Sequence, residues 1–233
     1  MTPVNGTPSV ASGEFVSATR VHEALTAGVE KRLLLWLAAR LPRGINSDHL
    51  TILGAAAQLG AGLCYAASRW HAEFLWLGIV CLALNWFGDS LDGTVARLRN
   101  QQRPRYGYYV DHVADAFGSV FLMTGLACSG YVHGAIAMAM LLGFLLLSIE
   151  SYLAASVLGR FHMSQGIFGP TEIRILLAAG NVGLYFHPYS LLLGHRYLLF
   201  DVGGVIASAG MLTMVALSAA RHTAELYRAE RLA

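Results

Sequence analysis

Charge is what this sequence has least of. Asp, Glu, Lys and Arg make up 13% of its 233 residues, against about a quarter in an ordinary soluble domain. That deficit excludes a globule that scatters charge through every helix. Cysteine is also scarce: Cys64, Cys81 and Cys128 all stand in apolar helical stretches, where a thiol acts as a small buried hydrophobe. Neither a disulfide framework nor a thiolate metal site is therefore expected. There is no repeat at a fixed period and no low-complexity tract, and nothing in the pattern calls for a nucleic-acid partner. Residues 1–19, rich in Ser, Thr, Gly and Pro, lack the apolar run of a signal peptide and read as a mobile cytoplasmic tail.

What the chain has is apolar length. Hydrophobic residues make up 55% of it, gathered into six stretches with short polar segments between them. The expected spans are Leu50–Ser68, Phe74–Arg97, Tyr108–Cys128, Gly134–Leu158, Ile173–Phe186 and Val205–Ala220. The formal net charge of +2 says little as a total, but its placement is informative. Of sixteen basic residues only Arg69 and Arg196 fall in one set of loops. The positive-inside rule then puts both termini and the Arg97–Arg105 connection in the cytoplasm. The expectation is an all-α polytopic membrane protein of six transmembrane helices, placed in the plasma membrane if the source is bacterial.

Before the first span, Val21, Leu25, Val29, Leu33 and Leu37 recur every four positions, with Glu23, Glu30, Lys31 and Arg40 as a polar surface. This predicts an amphipathic interfacial helix within 20–43, a packed cytoplasmic helix being the plainer alternative. Pro42 and Gly44 end it, and Ser47 or Asp48 is placed to cap the first span. Residues 44–233 then form one membrane domain. Trp70 and Trp76 flank an outer loop as headgroup anchors. Glu150, a carboxylate within an apolar helix, should face the bundle interior, either in an interhelical hydrogen bond or as a wall of a substrate cavity.

Four of the six aspartates, Asp89, Asp92, Asp111 and Asp115, fall within one segment. On a helix Asp89, Asp92, Gly93, Ala96 and Arg97 share one face, and Gly107, Asp111 and Asp115 share a face of the next. Two antiparallel helices would oppose these carboxylates. Gly93 and Gly107 leave room for a close approach of backbones, or of a backbone and a ligand. Ionised carboxylates ~5 Å apart repel by about 3 kcal/mol per pair at an effective dielectric near 20, a cost that a divalent cation removes. All-oxygen ligands point to a hard ion, Mg²⁺ or Mn²⁺, singly or as two ions, and hence to a phosphate-bearing substrate. One carboxylate could take a proton from an incoming hydroxyl. Arg97, Arg99, Arg103 and Arg105 line the turn where a nucleotide would arrive, although each also obeys topology.

The segment resembles the signature of the CDP-alcohol phosphotransferases, DxxDGxxAR followed by GxxxDxxxD. Every signature residue is present: Asp89, Asp92, Gly93, Ala96 and Arg97, then Gly107, Asp111 and Asp115. The gap from Arg97 to Gly107 is one residue longer than the commonest spacing. The resemblance implies a homodimeric six-helix membrane fold with a cytoplasm-facing cavity between spans two and three. It implies that Asp89, Asp92, Asp111 and Asp115 bind metal, with Asp115 as general base, and that Gly93, Ala96 and Arg97 hold CDP. Gly107 and Arg103 adjoin that nucleotide site. The stretch Asn46–Thr51, with Ser47, Asp48 and Thr51, resembles a nucleotide-proximal PDxxT element in which Ser47 replaces the proline.

The implied reaction moves a phosphatidyl group from a CDP-linked lipid such as CDP-diacylglycerol to a polar alcohol, releasing CMP. Arg160 and Arg174 are candidates to grip a phosphorylated acceptor, with Glu172 nearby. His112, beside Asp111, resembles the DH pair of the choline and ethanolamine phosphotransferases, whose acceptor is a lipid alcohol. Membrane prenyltransferases also pair carboxylates with Mg²⁺ but leave DGxxAR unexplained. A transporter, another metal-binding membrane protein or a partner-binding scaffold would not need Gly93, Arg97 and Gly107 in register.

Overall fold

The computed structural model describes residues 19–21, 27–158, 160–162, 169–192 and 194–230. Apart from Thr19, the expected tail lies outside the described residues. Among the described residues the architecture is helical: α1 (Ala27–Arg40), α2 (Ser47–Ala67), α3 (Phe74–Leu98), α4 (Pro104–Ser129), α5 (Gly134–Leu158), α6 (Pro170–Phe186) and α7 (Leu199–Ala229). Two short two-stranded sheets complete it. The parallel pair β1 (Thr19–Val21) and β2 (Arg160–His162) joins the segment before α1 to the one after α5, and β3 (Tyr189–Leu192) and β4 (His195–Leu198) form an antiparallel hairpin between α6 and α7.

Five helices, α2, α3, α4, α5 and α7, are long and apolar enough to cross a bilayer. The sequence leads to six; the remaining one, α6, has 17 residues, a rise of about 25 Å and the lower limit for a span. Its course still matters. His133 at the start of α5 meets Asp201 at the start of α7, and Glu150 meets His222 further along both. The two helices are therefore parallel, and α6 carries the chain back between them.

Local chemistry sets the starts of α2 and α4. α2 is capped by Asn46, not by Ser47 or Asp48 as the sequence suggests. Asn46 Oδ1 accepts the His49 N–H at 3.1 Å, while His49 Nδ1 accepts the Asn46 N–H at 3.3 Å. α4 begins four residues earlier than expected because Pro104 sits in its first turn, where a missing N–H costs nothing. The helix before the first span is shorter than 20–43, since residues 20 and 21 lie in β1.

α1 also faces differently from its pattern. Leu34 and Ala38 are buried against Leu50, Leu91 and Val95, whereas Val29, Leu33 and Trp36 are exposed. Glu30, expected on the polar surface, turns inward. Its Oε1 accepts hydrogen bonds from Trp86 Nε1 at 2.9 Å, Ser90 Oγ at 3.4 Å and Thr171 Oγ1 at 2.7 Å, tying α1 to α3 and α6.

A second apolar cluster, with Ala61, Tyr65, Leu75, Leu82, Leu126 and Leu184 at its centre, closes the other end of the bundle. Between the two clusters α2 packs on both α3 and α4, while α3 and α4 hardly touch. Backbone-to-backbone contact makes this wedge possible: a Cβ on Gly88 would stand 2.5 Å from Gly54 N and Leu50 O, and one on Gly125 would collide with the Gly62 carbonyl. The close approaches are thus at Gly54–Gly88 and Gly62–Gly125, not at Gly93 and Gly107. Among the described residues nothing lies within 4 Å of a Cβ placed on Gly107, and the nearest atoms to one on Gly93 belong to the Arg97 side chain.

Candidate active site

The gap between α3 and α4, floored by α2, collects the acidic residues. Oxygen atoms of Asp89, Asp111 and Asp115 lie within 4.8 Å of one another, all three residues partly buried. Two helices that would repel through these carboxylates are held apart by α2 while their charged faces still converge. Beside the triad is a cavity of about 10 Å³, lined by Thr51, Gln58, Asn85 and the same three aspartates. That is room for a single water or ion. The donor set, carboxylate oxygens with hydroxyl and amide oxygens behind them, fits a hard cation.

Asp92 stands beside the triad, not within it. Thr51 Oγ1 lies 2.6 Å from Asp92 Oδ2 and 3.0 Å from the Ser47 carbonyl, and the Gly93 N–H donates to Asp92 Oδ1. The first turn of α2 thereby meets the signature turn of α3. Asp48 pairs with Arg103 across the same end of the bundle, and Arg103 also covers the Tyr106 ring at 4.2 Å. Asn46, Ser47, Asp48, Gln101, Gln102 and Arg103 line an open cavity of about 390 Å³. Arg97 is exposed, its Nη2 donating to Thr94 Oγ1 at 3.1 Å. The Ala96 carbonyl accepts the Gln101 N–H, and the Gly107 N–H donates to the Arg103 carbonyl.

Of the arginines expected at this turn, Arg99 is structural. It donates to the carbonyls of Leu41, Pro42 and Ile45, fastening the α1–α2 turn to the end of α3.

Arg174, expected near an acceptor, reaches the triad itself. Its Nη2 lies 2.6 Å from Asp89 Oδ2 and its Nε donates to Asn85 Oδ1 at 2.7 Å. Asn85, buried on α3, in turn donates to the Gly54 carbonyl at 3.0 Å and to Gln58 Oε1 at 3.4 Å. Sequence reasoning passed over Asn85 and Gln58. Their signal was an amide inside an apolar span, and Asn85 sits one turn before Asp89. Glu172 accepts the Gly169 N–H at the start of α6. The Arg160 side chain lies outside the described residues.

His112 stacks on Tyr152 with ring centroids 4.7 Å apart and lies 4.1 Å from the Tyr108 ring; its Nδ1 is 3.4 Å from Asp111 Oδ2. Glu150 is hydrogen-bonded to His222 Nδ1 at 2.6 Å between α5 and α7, the interhelical alternative of the two expected for it.

Five apolar helices and a partly buried carboxylate triad between two of them define a polytopic membrane protein with a candidate cation site. The chain matches the sequence profile of the CDP-alcohol phosphatidyltransferase family over residues 46–220. It belongs to that family, and is an integral membrane protein of transferase type. Its fold is similar to that of the phosphatidylinositol phosphate synthase of Mycobacterium tuberculosis, solved with CDP-DAG bound, at a TM-score of 0.54 and 20% identity, covering 84% of this chain and 92% of that one. No curated protein sequence matches the chain significantly.

Proposed function

We propose that the chain transfers a phosphatidyl group from a CDP-linked lipid, CDP-diacylglycerol being the donor favoured, to a polar alcohol with release of CMP. The observation that carries this reading is the convergence of Asp89, Asp111 and Asp115 from the two halves of the signature onto one small cavity. Membership of the family supplies the reaction class. The CDP-DAG bound to the mycobacterial synthase is consistent with the donor.

In this reading Asp89, Asp92, Asp111 and Asp115 hold one or two Mg²⁺ or Mn²⁺ ions. Such ions supply charge neutralisation and polarisation of a pyrophosphate. Gly93, Ala96, Arg97 and Gly107 border the nucleotide, with Ser47, Asp48 and Arg103 from the open cavity and Thr51 from the small one beside them. The acceptor oxygen bonds to the phosphorus that carries the lipid, the pyrophosphate P–O bond breaks, and CMP leaves with the electron pair. Asp115 takes the acceptor proton. Arg160 and Arg174 are the acceptor-side cations.

The site end faces the cytoplasm, residues 44–233 act as one six-span domain with α6 as the fifth crossing, and two copies form a homodimer. The parallel course of α5 and α7 supports that sixth crossing. A second reading, an amino-alcohol phosphotransferase with a lipid acceptor, draws on the His112 ring beside Asp111.

The test is CMP release by the purified protein with Mn²⁺ or Mg²⁺, CDP-diacylglycerol and each candidate acceptor in turn, beside Asp89→Asn and Asp115→Asn. Metal-dependent release with one acceptor, lost in both variants, is expected. Release only with CDP-choline or CDP-ethanolamine and diacylglycerol would transfer the conclusion to the second reading. No release with any pair would defeat both.

A further inference from the structure

We propose that Arg174 is the resident counter-cation of the aspartate triad and that it exchanges with the divalent metal at Asp89. The proposal rests on the metal-site reading above and adds an order of events to it.

Three observations carry it. Arg174 Nη2 lies 2.6 Å from Asp89 Oδ2, so the guanidinium occupies an oxygen atom of a residue in the triad. The contact is enclosed: the Arg174 side chain is 13% exposed and that of Asp89 23%. At such burial a charge pair is screened far less than on a surface. The guanidinium is also aimed, because its Nε is fixed at 2.7 Å by Asn85 Oδ1, and Asn85 is anchored to the Gly54 carbonyl. Arg174 comes from α6, whereas the triad belongs to α3 and α4. Its side chain can therefore withdraw while those two backbones stay in place.

Three carboxylates within 4.8 Å need positive charge nearby. Arg174 supplies such charge as a permanent cation in an ion pair with Asp89. A divalent ion arriving at Asp89, Asp111 and Asp115 brings a second source of positive charge into the same space. Metal and guanidinium then repel, and they compete for the Asp89 carboxylate. Metal binding releases Arg174, whose planar donor fork becomes available to an anionic group in the gap. The metal-free protein keeps that fork occupied, so the metal binds before the anionic ligand.

The prediction runs against the usual expectation that removing an ordered site residue weakens binding. Mn²⁺ binding to the full chain in lipid nanodiscs is followed by loss of the free-ion electron paramagnetic resonance signal, for wild type, Arg174→Gln, Arg174→Lys and Asp111→Asn. Arg174→Gln should bind Mn²⁺ roughly tenfold more tightly than wild type, Arg174→Lys should fall between them, and Asp111→Asn should lose most binding. Loss in Asp111→Asn together with unchanged or weaker binding in Arg174→Gln would overturn the exchange and leave the metal site standing. Absence of Mn²⁺ binding in every protein would overturn both.

A readout on the unmutated protein guards against misfolded variants. Phenylglyoxal modification of Arg174, followed by peptide mass spectrometry, should accelerate when Mn²⁺ is added. Protection or no change on adding Mn²⁺ would defeat the exchange.

Discussion

The bundle has two halves built on different rules. In α2, α3 and α4 the helices meet backbone on backbone at Gly54–Gly88 and Gly62–Gly125, and carboxylate, amide and hydroxyl side chains line a cavity between them. In α5 and α7 side chains settle onto glycines, Met211 against Gly143 and Ile136 with Met140 against Gly204, and two acid–imidazole pairs join the helices. Burial follows the same division: 39% of the apolar stretch of α2 is buried, against 11% of that of α7. A backbone contact cannot adjust, whereas a methionine can. The rigid half carries the carboxylates, whose spacing has to be held against their repulsion. The adaptable half presents most of its surface outward.

The largest expected effect separates function from stability within the rigid half. Asp111→Asn should lower kcat for CMP release about a thousandfold, while the thermal midpoint of the metal-free protein stays level or rises because one repelling carboxylate is gone. Activity assays and unfolding of the same preparation check this. A fall in both would show that the triad also holds the fold together.

Next in size is the backbone contact itself. A Cβ at Gly88 stands 2.5 Å from two backbone atoms of α2, and neither can move without moving the helix. Gly88→Ala should cost about 3 kcal/mol, read as a lower unfolding midpoint or as loss of folded protein on size exclusion. It should also disturb the candidate cation site, since Asp89 is the next residue. Smaller again is Glu30→Ala, which leaves Trp86, Ser90 and Thr171 without their shared acceptor. About 2 kcal/mol is expected, and Glu30→Gln, keeping an oxygen there, should recover part of it.

These sites differ in how visible they were in the sequence. The apolar spans and the signature faces are local patterns, so residue spacing alone places Asp89 on a common face with Asp92 and Asp111 with Asp115. Which face turns to which neighbour is not local. Glu30 follows the same spacing as Lys31 and Arg40 on a polar surface, yet its partners are 56, 60 and 141 residues away. The wedge of α2 between α3 and α4 depends on glycines that carry no motif, and the pairing of Arg174 with Asp89 crosses 85 residues. The hairpin β3–β4 escaped for a different reason: its residues, with Tyr189, Leu191 and Tyr197, are as apolar as a span end. The cap at Asn46 was missed by one residue, since Asn, Ser and Asp in succession all suit that position.

The smallest effect is the sharpest control on the comparison. Gly210, inside α7, would meet nothing within 4 Å on gaining a Cβ, so the same substitution that breaks α3 has no steric consequence there. Replacing a helical glycine by alanine restricts the unfolded chain, and Gly210→Ala should raise stability by about 0.5–1 kcal/mol with kcat unchanged. The measurement is a paired one, unfolding midpoints of Gly88→Ala and Gly210→Ala against wild type in the same detergent. Opposite signs follow if the halves differ as their contacts do. A loss at Gly210 comparable to that at Gly88 would mean that the outward face of α7 is itself covered, by a second copy or by an element packed on it, and the division between a rigid and an adaptable half would fail.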